Sequence, residues 1–268
     1  MGSGRWHSRE REGVRLSCLD HGGTGSAVLL LHGLAGYARE WDETASWLSR
    51  RHRVVAPEQR GHGRSDRSPA DVSPEAFVDD AEMWVRELGV APVVVVGQSL
   101  GGLTALLLAA GHPDLVRGLV VVETTPGADP GASSHLRAWL ESWPIPFSSR
   151  REAAAFFGGG GAAADAWAAG LEERSDGLWP SFDPDVLVAV LAEASGRAYW
   201  EEWRRISCPA LVVRGEHGWM PEDEARRMAD SLPAARLVEI PDAGHDLHLE
   251  QSERWRAVLG DYLAALGR

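Results

Sequence analysis

Short apolar runs rich in β-branched residues recur along the chain, separated by longer stretches with helical periodicity. Near-continuous apolar runs of this length are typical of parallel strands buried on both faces. The predicted strands are Val28–Leu31, Arg53–Ala56, Val93–Val96, Leu119–Val122, Leu211–Val213 and Arg236–Ile240. The predicted helices are Trp41–Arg50, Pro74–Leu88, Leu100–Gly111, Pro221–Ser231 and Ser252–Leu266. This alternation predicts an α/β fold with a doubly wound, mostly parallel sheet.

The alternation stops between residues 127 and 205, where the composition shifts to Ala, Gly, Glu and Trp. Four consecutive glycines, Gly158–Gly161, interrupt this segment, and no convincing strand is visible in it. Trp is concentrated here, which suits either a small core of the segment's own or the wall of a pocket. We therefore expect residues 1–126 and 206–268 to form the α/β core, and residues 127–205 to form an inserted helical lid over the carboxyl edge of the sheet.

Charge and composition exclude several classes of function. The 268-residue chain has 39 Asp and Glu residues against 27 basic ones, a net charge of −12, and it contains no Lys. Without Lys it cannot form a Schiff base or use a P-loop lysine. The acidic balance argues against a nucleic-acid partner, because phosphate binding needs a basic face. Cys18 and Cys208 are too few for a disulfide framework in a chain of this length.

The strongest chemical signal is a Gly-X-Ser-X-Gly motif at residues 97–101, between a run of four valines and an Ala/Leu-rich helix. A strand that turns directly into a helix through this motif forms a nucleophile elbow, with small residues letting the two elements approach. The turn would lift the Ser99 hydroxyl above the sheet as a nucleophile. It would also place the backbone N–H of Leu100 at a helix N-terminus, facing developing negative charge.

Two further positions complete a candidate site. The loop that begins at His32 follows the first predicted strand, and the backbone N–H of Leu34 is its candidate second oxyanion donor. For His32 itself, a structural role in positioning this loop is the main alternative to a functional one. A small-residue loop after the last predicted strand presents His245, the expected general base. His248 and His245 could both coordinate a metal ion, but the sequence offers no third ligand nearby.

These residues resemble the α/β-hydrolase superfamily with a helical lid, as does the segment Glu58–Asp66 after the second predicted strand. Ile206–Val213, which contains the fifth predicted strand, resembles that family's strand before the acid loop. The resemblance covers nearly the whole chain and is least specific across the lid. It implies a Ser–His–acid triad and hydrolysis through an acyl-enzyme. The pair of Ser99 and His245 supports that function, which the fold alone would not.

The acid of the triad departs from the usual pattern. Most relatives carry an Asp at the position where this chain has Gly218. Glu123, at the end of the strand after the nucleophile, is our preferred acid, because a subset of the superfamily places a Glu there. Glu216 in the usual loop is an alternative, Asp242 reads as a turn residue, and a site without a functional acid stays open.

The expected reaction is cleavage of an ester, thioester or lactone bond of a small hydrophobic substrate. Ser at the elbow argues against epoxide hydrolysis and dehalogenation. The alternatives are a C–C bond hydrolase, a cofactor-free lyase or cyclase, and a non-catalytic ligand-binding relative. The residues expected to line the substrate pocket are His32, Gly33, Gln98, Trp139, Trp143 and Trp219.

Targeting and cofactor signals are not evident. The segment Met1–Glu12 mixes Arg with Glu and has no apolar core, so we expect no signal peptide. Leu88–Pro113 carries no Asp, Glu or Arg, but glycines interrupt it, and we expect no membrane span. A cytoplasmic protein is the expectation. No dinucleotide-binding glycine loop follows the first strand, so we expect neither a cofactor nor a metal.

Overall fold

A computed structural model describes residues 4–267 and places a sheet of eight strands, formed by these residues, at the centre of the fold. The strands of the chain are β1 Arg5–Arg11, β2 Val14–Gly22, β3 Ala27–Leu31, β4 Arg53–Glu58, β5 Val93–Gln98, β6 Val116–Val122, β7 Glu172–Arg174, β8 Gly177–Trp179, β9 Ala210–Gly215 and β10 Ala235–Ile240. The helices are α1 Asp42–Leu48, α2 Pro74–Glu87, α3 Leu100–Gly111, α4 Ala132–Glu141, α5 Arg150–Phe156, α6 Ala162–Ala169, α7 Pro184–Ser195, α8 Trp200–Arg205, α9 Glu222–Ser231, α10 Leu247–Glu250 and α11 Ser252–Leu266. A short 3₁₀ turn, Ala38–Trp41, precedes α1.

The main sheet has the order β1-β2-β4-β3-β5-β6-β9-β10. Within this sheet, the six strands β4, β3, β5, β6, β9 and β10 pair in parallel. Strand β2 pairs with both β1 and β4 in the antiparallel sense. Each of the six predicted strands and five predicted helices is present, with ends that differ by at most a few residues. The predicted α/β fold with a doubly wound, mostly parallel sheet is therefore confirmed.

The sheet lies between two apolar layers, as the alternation along β5 illustrates. Val93 and Val95 belong to the cluster packed by α2, α3 and α9, whereas Val94 and Val96 belong to the cluster packed by α1 and α11. Successive side chains of a strand point to opposite faces, so a strand covered on both sides must be apolar throughout. This explains why four consecutive valines are fully buried.

Two strands at the sheet edge were not predicted from the apolar pattern. Strand β1 carries four charged residues in seven and is largely exposed, as an edge strand is expected to be. Its partner β2 is buried but mixes Ser, Cys and Asp with its apolar residues. Of the segment examined for a signal peptide, residues 1–3 lie outside the described range and Arg5–Arg11 forms β1.

The segment 127–205 lies between β6 and β9 in the chain and contains α4 to α8. The expectation that it holds no strand is wrong for six residues, because β7 and β8 form a small antiparallel hairpin. Its aromatic residues cluster edge-to-face around Trp143, which lies 5.0 Å from Trp139 and 6.3 Å from Trp167 between ring centroids. By contrast, Trp203 of α8 is fully buried in the main core. The division of the chain at residues 127 and 205 stays a prediction.

Candidate active site

Ser99 occupies the tight turn between β5 and α3. Its backbone has φ +52° and ψ −118°, a conformation that side-chain-bearing residues adopt rarely and that is often found at functional sites. A Cβ on Gly97 would lie 2.0 Å from the carbonyl oxygen of Gly101, and a Cβ on Gly101 would lie 2.3 Å from that of Leu31. Both glycines are therefore required for the strand and helix to approach this closely. The Ser99 side chain stands at the carboxyl edge of the sheet, half-buried.

Two backbone N–H groups are available near Ser99. Leu100 is the first residue of α3, so its N–H precedes the hydrogen bonds of the helix. The N–H of Leu34 has no hydrogen-bond acceptor among residues 4–267, whereas that of the next residue, Ala35, donates to Nε2 of His62 at 3.1 Å. Ala35 has φ +62°. This bond holds the loop in its turn and leaves the Leu34 N–H free for a ligand.

His32 and His62 support this loop from below. His32 accepts from the backbone N–H of Gln59 at 3.0 Å through Nε2, and its Nδ1 donates to the carbonyl of Gly33 at 2.7 Å. Burial lowers the pKa of His32 to about 3 and the pKa of His62 to about 4. Both rings are thus neutral at physiological pH, which is the state that permits one nitrogen to accept while the other donates. His32 is fully buried and holds the loop.

His245 follows β10, and its Nδ1 lies 3.4 Å from Oε2 of Glu123. The Glu123 side chain is fully buried. It accepts hydrogen bonds from the backbone N–H groups of Gly215 at 2.7 Å, Trp219 at 2.6 Å and Met220 at 3.2 Å. Glu123 comes from the end of β6, next to β9 in the sheet, and its own N–H donates to the carbonyl of Val213. The carboxylate is thereby fixed beside the imidazole.

Gly218 makes room for this carboxylate. A Cβ on Gly218 would lie 2.2 Å from Oε1 and 2.3 Å from Oε2 of Glu123. The loop position that carries an Asp in the usual pattern is thus filled, in this chain, by the side chain of Glu123. A side chain at residue 218 and the observed position of Glu123 exclude each other.

The other two candidate acids make contacts elsewhere. The Glu216 carboxylate accepts from the backbone N–H of Asp242 at 3.0 Å. Asp242 is exposed, and its carboxylate pairs with Arg254 at 3.2 Å. Among residues 4–267, the one carboxylate within 4 Å of a nitrogen of His245 is that of Glu123.

Trp219 lies on the imidazole of His245, with ring centroids 4.1 Å apart and planes inclined by 16°. It is 77% exposed, which is unusual for so large an apolar side chain. Its indole therefore covers one face of the imidazole and leaves its own outer face to solvent. The sequence places Trp219 in the acid loop, but its stacking on His245 depends on the loop's turn at Gly218.

A cavity with a volume of about 30 Å³ lies beside His245 and Leu34, large enough for one or two water molecules. Gly33, Gln98 and Trp143 border it, as do several side chains with no sequence signal for this role. These additional residues include Tyr37, Glu40, Trp167, Phe182 and Asp246. Only Asp246 could have been suspected from the sequence, since it follows His245 directly.

Three of the residues expected to line the pocket lie away from this cavity. His32 is enclosed beneath the loop, Trp139 packs edge-on against Trp143, and Trp219 covers His245 from outside. His248 is also buried: its ring stacks on Trp41 with centroids 4.2 Å apart. No group of three or more potential metal-ligating side chains forms among residues 4–267.

A mostly parallel sheet that carries Ser at a strand–helix elbow and His after its last strand is the architecture of an α/β hydrolase. The chain belongs to the alpha/beta hydrolase fold family, whose model matches residues 26–252. Our expectation from the sequence is thereby confirmed. No helix within residues 4–267 is long and apolar enough to cross a membrane.

Several relatives of the chain carry the names of hydrolases. It is 29% identical to the sn-1-specific diacylglycerol lipase ABHD11 of Mus musculus, over 92% of this chain and 83% of that one. It is 28% identical to the 2-(acetamidomethylene)succinate hydrolase of Mesorhizobium japonicum, over 83% of this chain and 82% of the relative. The crystal structure of an E-2-(acetamidomethylene)succinate hydrolase superposes with a TM-score of 0.85 at 24% identity, covering 97% of this chain and all of that one.

Proposed function

We propose that the protein is a serine hydrolase that cleaves an ester, thioester or lactone bond of a small, largely apolar substrate through an acyl-enzyme. The observation that carries this proposal is the contact between Glu123 and Nδ1 of His245, in a chain with Ser99 at the elbow. An imidazole oriented in this way keeps Nε2 free as a general base. The family membership and the hydrolase relatives support the same reaction class.

The proposed reaction begins with attack of the Ser99 hydroxyl oxygen on the substrate carbonyl carbon, while Nε2 of His245 takes the hydroxyl proton. The backbone N–H groups of Leu34 and Leu100 stabilise the resulting oxyanion. His245 then donates the proton to the leaving alcohol or thiol, and the acyl group stays on Ser99. A water molecule, deprotonated by His245, releases the acid and restores the hydroxyl.

Glu123 is the proposed third member of the triad. Its carboxylate accepts the Nδ1–H of His245, fixes the tautomer and stabilises the imidazolium that forms during both steps. Three backbone N–H groups hold the carboxylate in place, so it needs no reorganisation when charge develops. A distance of 3.4 Å is compatible with a bond that shortens when substrate is bound.

A fluorophosphonate probe tests this proposal, because it reacts with an activated serine and stays bound. We expect stoichiometric labelling of the wild type at Ser99, identified by peptide mass spectrometry, and none in Ser99→Ala. Ser181 borders the cavity beside His245, so Ser181→Ala is the matched control and is expected to retain the label. A folded protein that never labels, or that labels at another serine, would refute the proposal and favour a lyase or a binding protein.

A further inference from the structure

The cavity beside His245 carries an unbalanced negative charge. Two carboxylates border it, those of Glu40 and Asp246, and none of the residues around it is Arg. Lys is absent from the whole chain. Arg150 lies in the same region, but its exposed guanidinium donates to the carbonyl of Ala168 at 2.7 Å and does not border the cavity.

Asp246 is the carboxylate without a counter-ion. Its Oδ2 accepts from the indole N–H of Trp167 at 2.7 Å, a neutral donor. Among residues 4–267, no Arg or His lies within ion-pair distance of Asp246. The carboxylate is therefore held at the cavity by a hydrogen bond that orients it but does not neutralise it.

Unlike Asp246, Glu40 has an ion-pair partner, His248. Its side chain is 9% exposed, and its Oε1 lies 3.5 Å from Nε2 of His248. Its other oxygen accepts from the backbone N–H of Tyr37 at 3.1 Å. Burial raises the pKa of Glu40, and the nearby Asp246 adds to this effect. A cation in the cavity would favour the ionised form of Glu40.

Aromatic rings form the rest of the wall. Tyr37, Trp143, Trp167 and Phe182 all border the cavity. Trp143 is 5% exposed, and its indole N–H has no acceptor among residues 4–267. A buried donor without a partner is costly, and a substrate oxygen would satisfy it. Aromatic faces combined with carboxylates are the surroundings in which proteins bind ammonium groups.

We propose that Asp246, supported by Glu40 and the aromatic wall, selects substrates that carry a protonated primary amine and rejects those that carry a carboxylate. This inference rests on the proposed hydrolase function and names its substrate class. A carboxylate in this cavity would lose its hydration without gaining a cation and would face Asp246 directly. An ammonium group would gain a charged partner and aromatic neighbours.

The test is a set of p-nitrophenyl esters that share one leaving group and differ only in the end of the acyl chain. One chain ends in a protonated primary amine, one in its methyl isostere, and one of similar length in a carboxylate. We expect the cationic ester to exceed its neutral isostere in kcat/KM by about tenfold, and the anionic ester to fall below the neutral one by about tenfold or more.

Two variants test whether Asp246 causes the preference for the cationic ester. Asp246→Asn keeps an acceptor for the Trp167 indole and removes the charge, so the cation-to-neutral ratio of kcat/KM is expected to approach one. The matched control is Asp242→Asn, which removes one charge from the same loop at an exposed position outside the cavity. It is expected to leave the ratio unchanged.

The outcomes separate this inference from the proposed function. Hydrolysis that persists in Ser99→Ala would overturn the function itself. Hydrolysis that requires Ser99 but shows no cationic preference, or keeps that preference in Asp246→Asn, would overturn only the charge selection. If the esters turn over too slowly to rank, protection of Ser99 from the fluorophosphonate probe decides, because methylammonium is expected to slow labelling and acetate is not. Protection by acetate alone, or by neither ion, would refute the inference.

Discussion

Replacing Gly218 by Ala should remove most of the activity, although the change adds a single methyl group. The new Cβ would lie 2.2 to 2.3 Å from both oxygens and the carboxyl carbon of Glu123. Contacts under 3 Å between such atoms are prohibitive. The methyl group is fixed to the backbone, so the carboxylate of Glu123 has to move away from His245.

The size of the effect follows from the contacts that would be lost. The carboxylate accepts three backbone N–H groups in a fully buried setting, and each donor left without a partner costs about 1–3 kcal/mol. Loss of an orienting carboxylate behind a catalytic imidazole lowers kcat by about 10⁴-fold in a serine protease. We therefore expect Gly218→Ala to lose several degrees in Tm and about 10³-fold or more in kcat, with a much smaller change in KM.

Single-turnover labelling by the fluorophosphonate probe, steady-state kinetics and thermal unfolding measure these effects together. The control is Gly111→Ala at the end of α3, where an added Cβ meets no atom within 4 Å, and both activity and Tm are expected to stay near the wild-type values. The double variant Glu123→Ala/Gly218→Asp moves the acid to the usual loop position. It should exceed either single variant in kcat by about tenfold or more, because it restores a carboxylate within reach of Nδ1.

A wild-type kcat in Gly218→Ala would refute the reasoning, because the carboxylate would then be unnecessary or located elsewhere. Should the variant unfold, Glu123→Ala/Gly218→Ala removes the clash and separates the two effects. This variant is expected to regain only part of the Tm, because the N–H groups of Gly215, Trp219 and Met220 still lack the carboxylate, and it is expected to regain no activity. Glu216→Gln is expected to leave kcat within about twofold, since Glu216 bonds to the backbone of Asp242 and not to His245.

Three further predictions concern the supports of the site. His32 and His62 should contribute a loss of about 4 kcal/mol in the free energy of unfolding when the pH falls from 7 to 5, because their unfolded forms take up protons that the folded forms, with depressed pKa values, do not. Urea titrations should show that His62→Gln loses about 2 kcal/mol less than the wild type over this range, and equal losses would contradict the assignment. Trp219→Ala should lower kcat about tenfold through loss of the stack on His245, whereas Trp219→Phe should retain most of it; equal kcat values in the two variants would exclude a positioning role. Tyr37→Phe removes the hydrogen bond to the carbonyl of Ala166, so amide hydrogen exchange in α6 should accelerate. Exchange in α11 is the control and should not change. Unchanged exchange in α6 would show that this bond does not stabilise the helix.

The apolar pattern predicts the central strands because each of them is covered on both faces. The strand at 93–96 is an example, since its four valines divide between the two apolar layers. The edge strand Arg5–Arg11 faces solvent and needs no such run, so its sequence is indistinguishable from a polar loop. The three-residue strands of the small hairpin depend on pairing with each other rather than on their own composition.

Within the candidate site, local motifs were informative and long-range contacts were not. The elbow at Ser99 is recognisable from its immediate neighbours, because Gly97 and Gly101 flank the serine in the sequence and both occupy positions without room for a Cβ. The cavity, by contrast, is assembled from segments far apart in the chain, such as Tyr37 and Trp167, whose residues carry no shared signal. Their charge and shape become apparent only when the fold brings them together.

The position of the acid illustrates how two residues have to be interpreted together. Strands β6 and β9 are parallel neighbours, with Val122 paired to Val213, so their carboxyl ends both open toward His245. A carboxylate attached to either strand end can reach the same imidazole nitrogen, but the space beside it admits only one. A glycine at residue 218 is therefore more than a missing acid, because it creates the volume that Glu123 occupies. A Gly in the acid loop together with a Glu after the preceding strand therefore predicts that the carboxylate of the triad has moved from the loop to the strand end. The double variant Glu123→Ala/Gly218→Asp tests this directly, because it moves the carboxylate back to the loop.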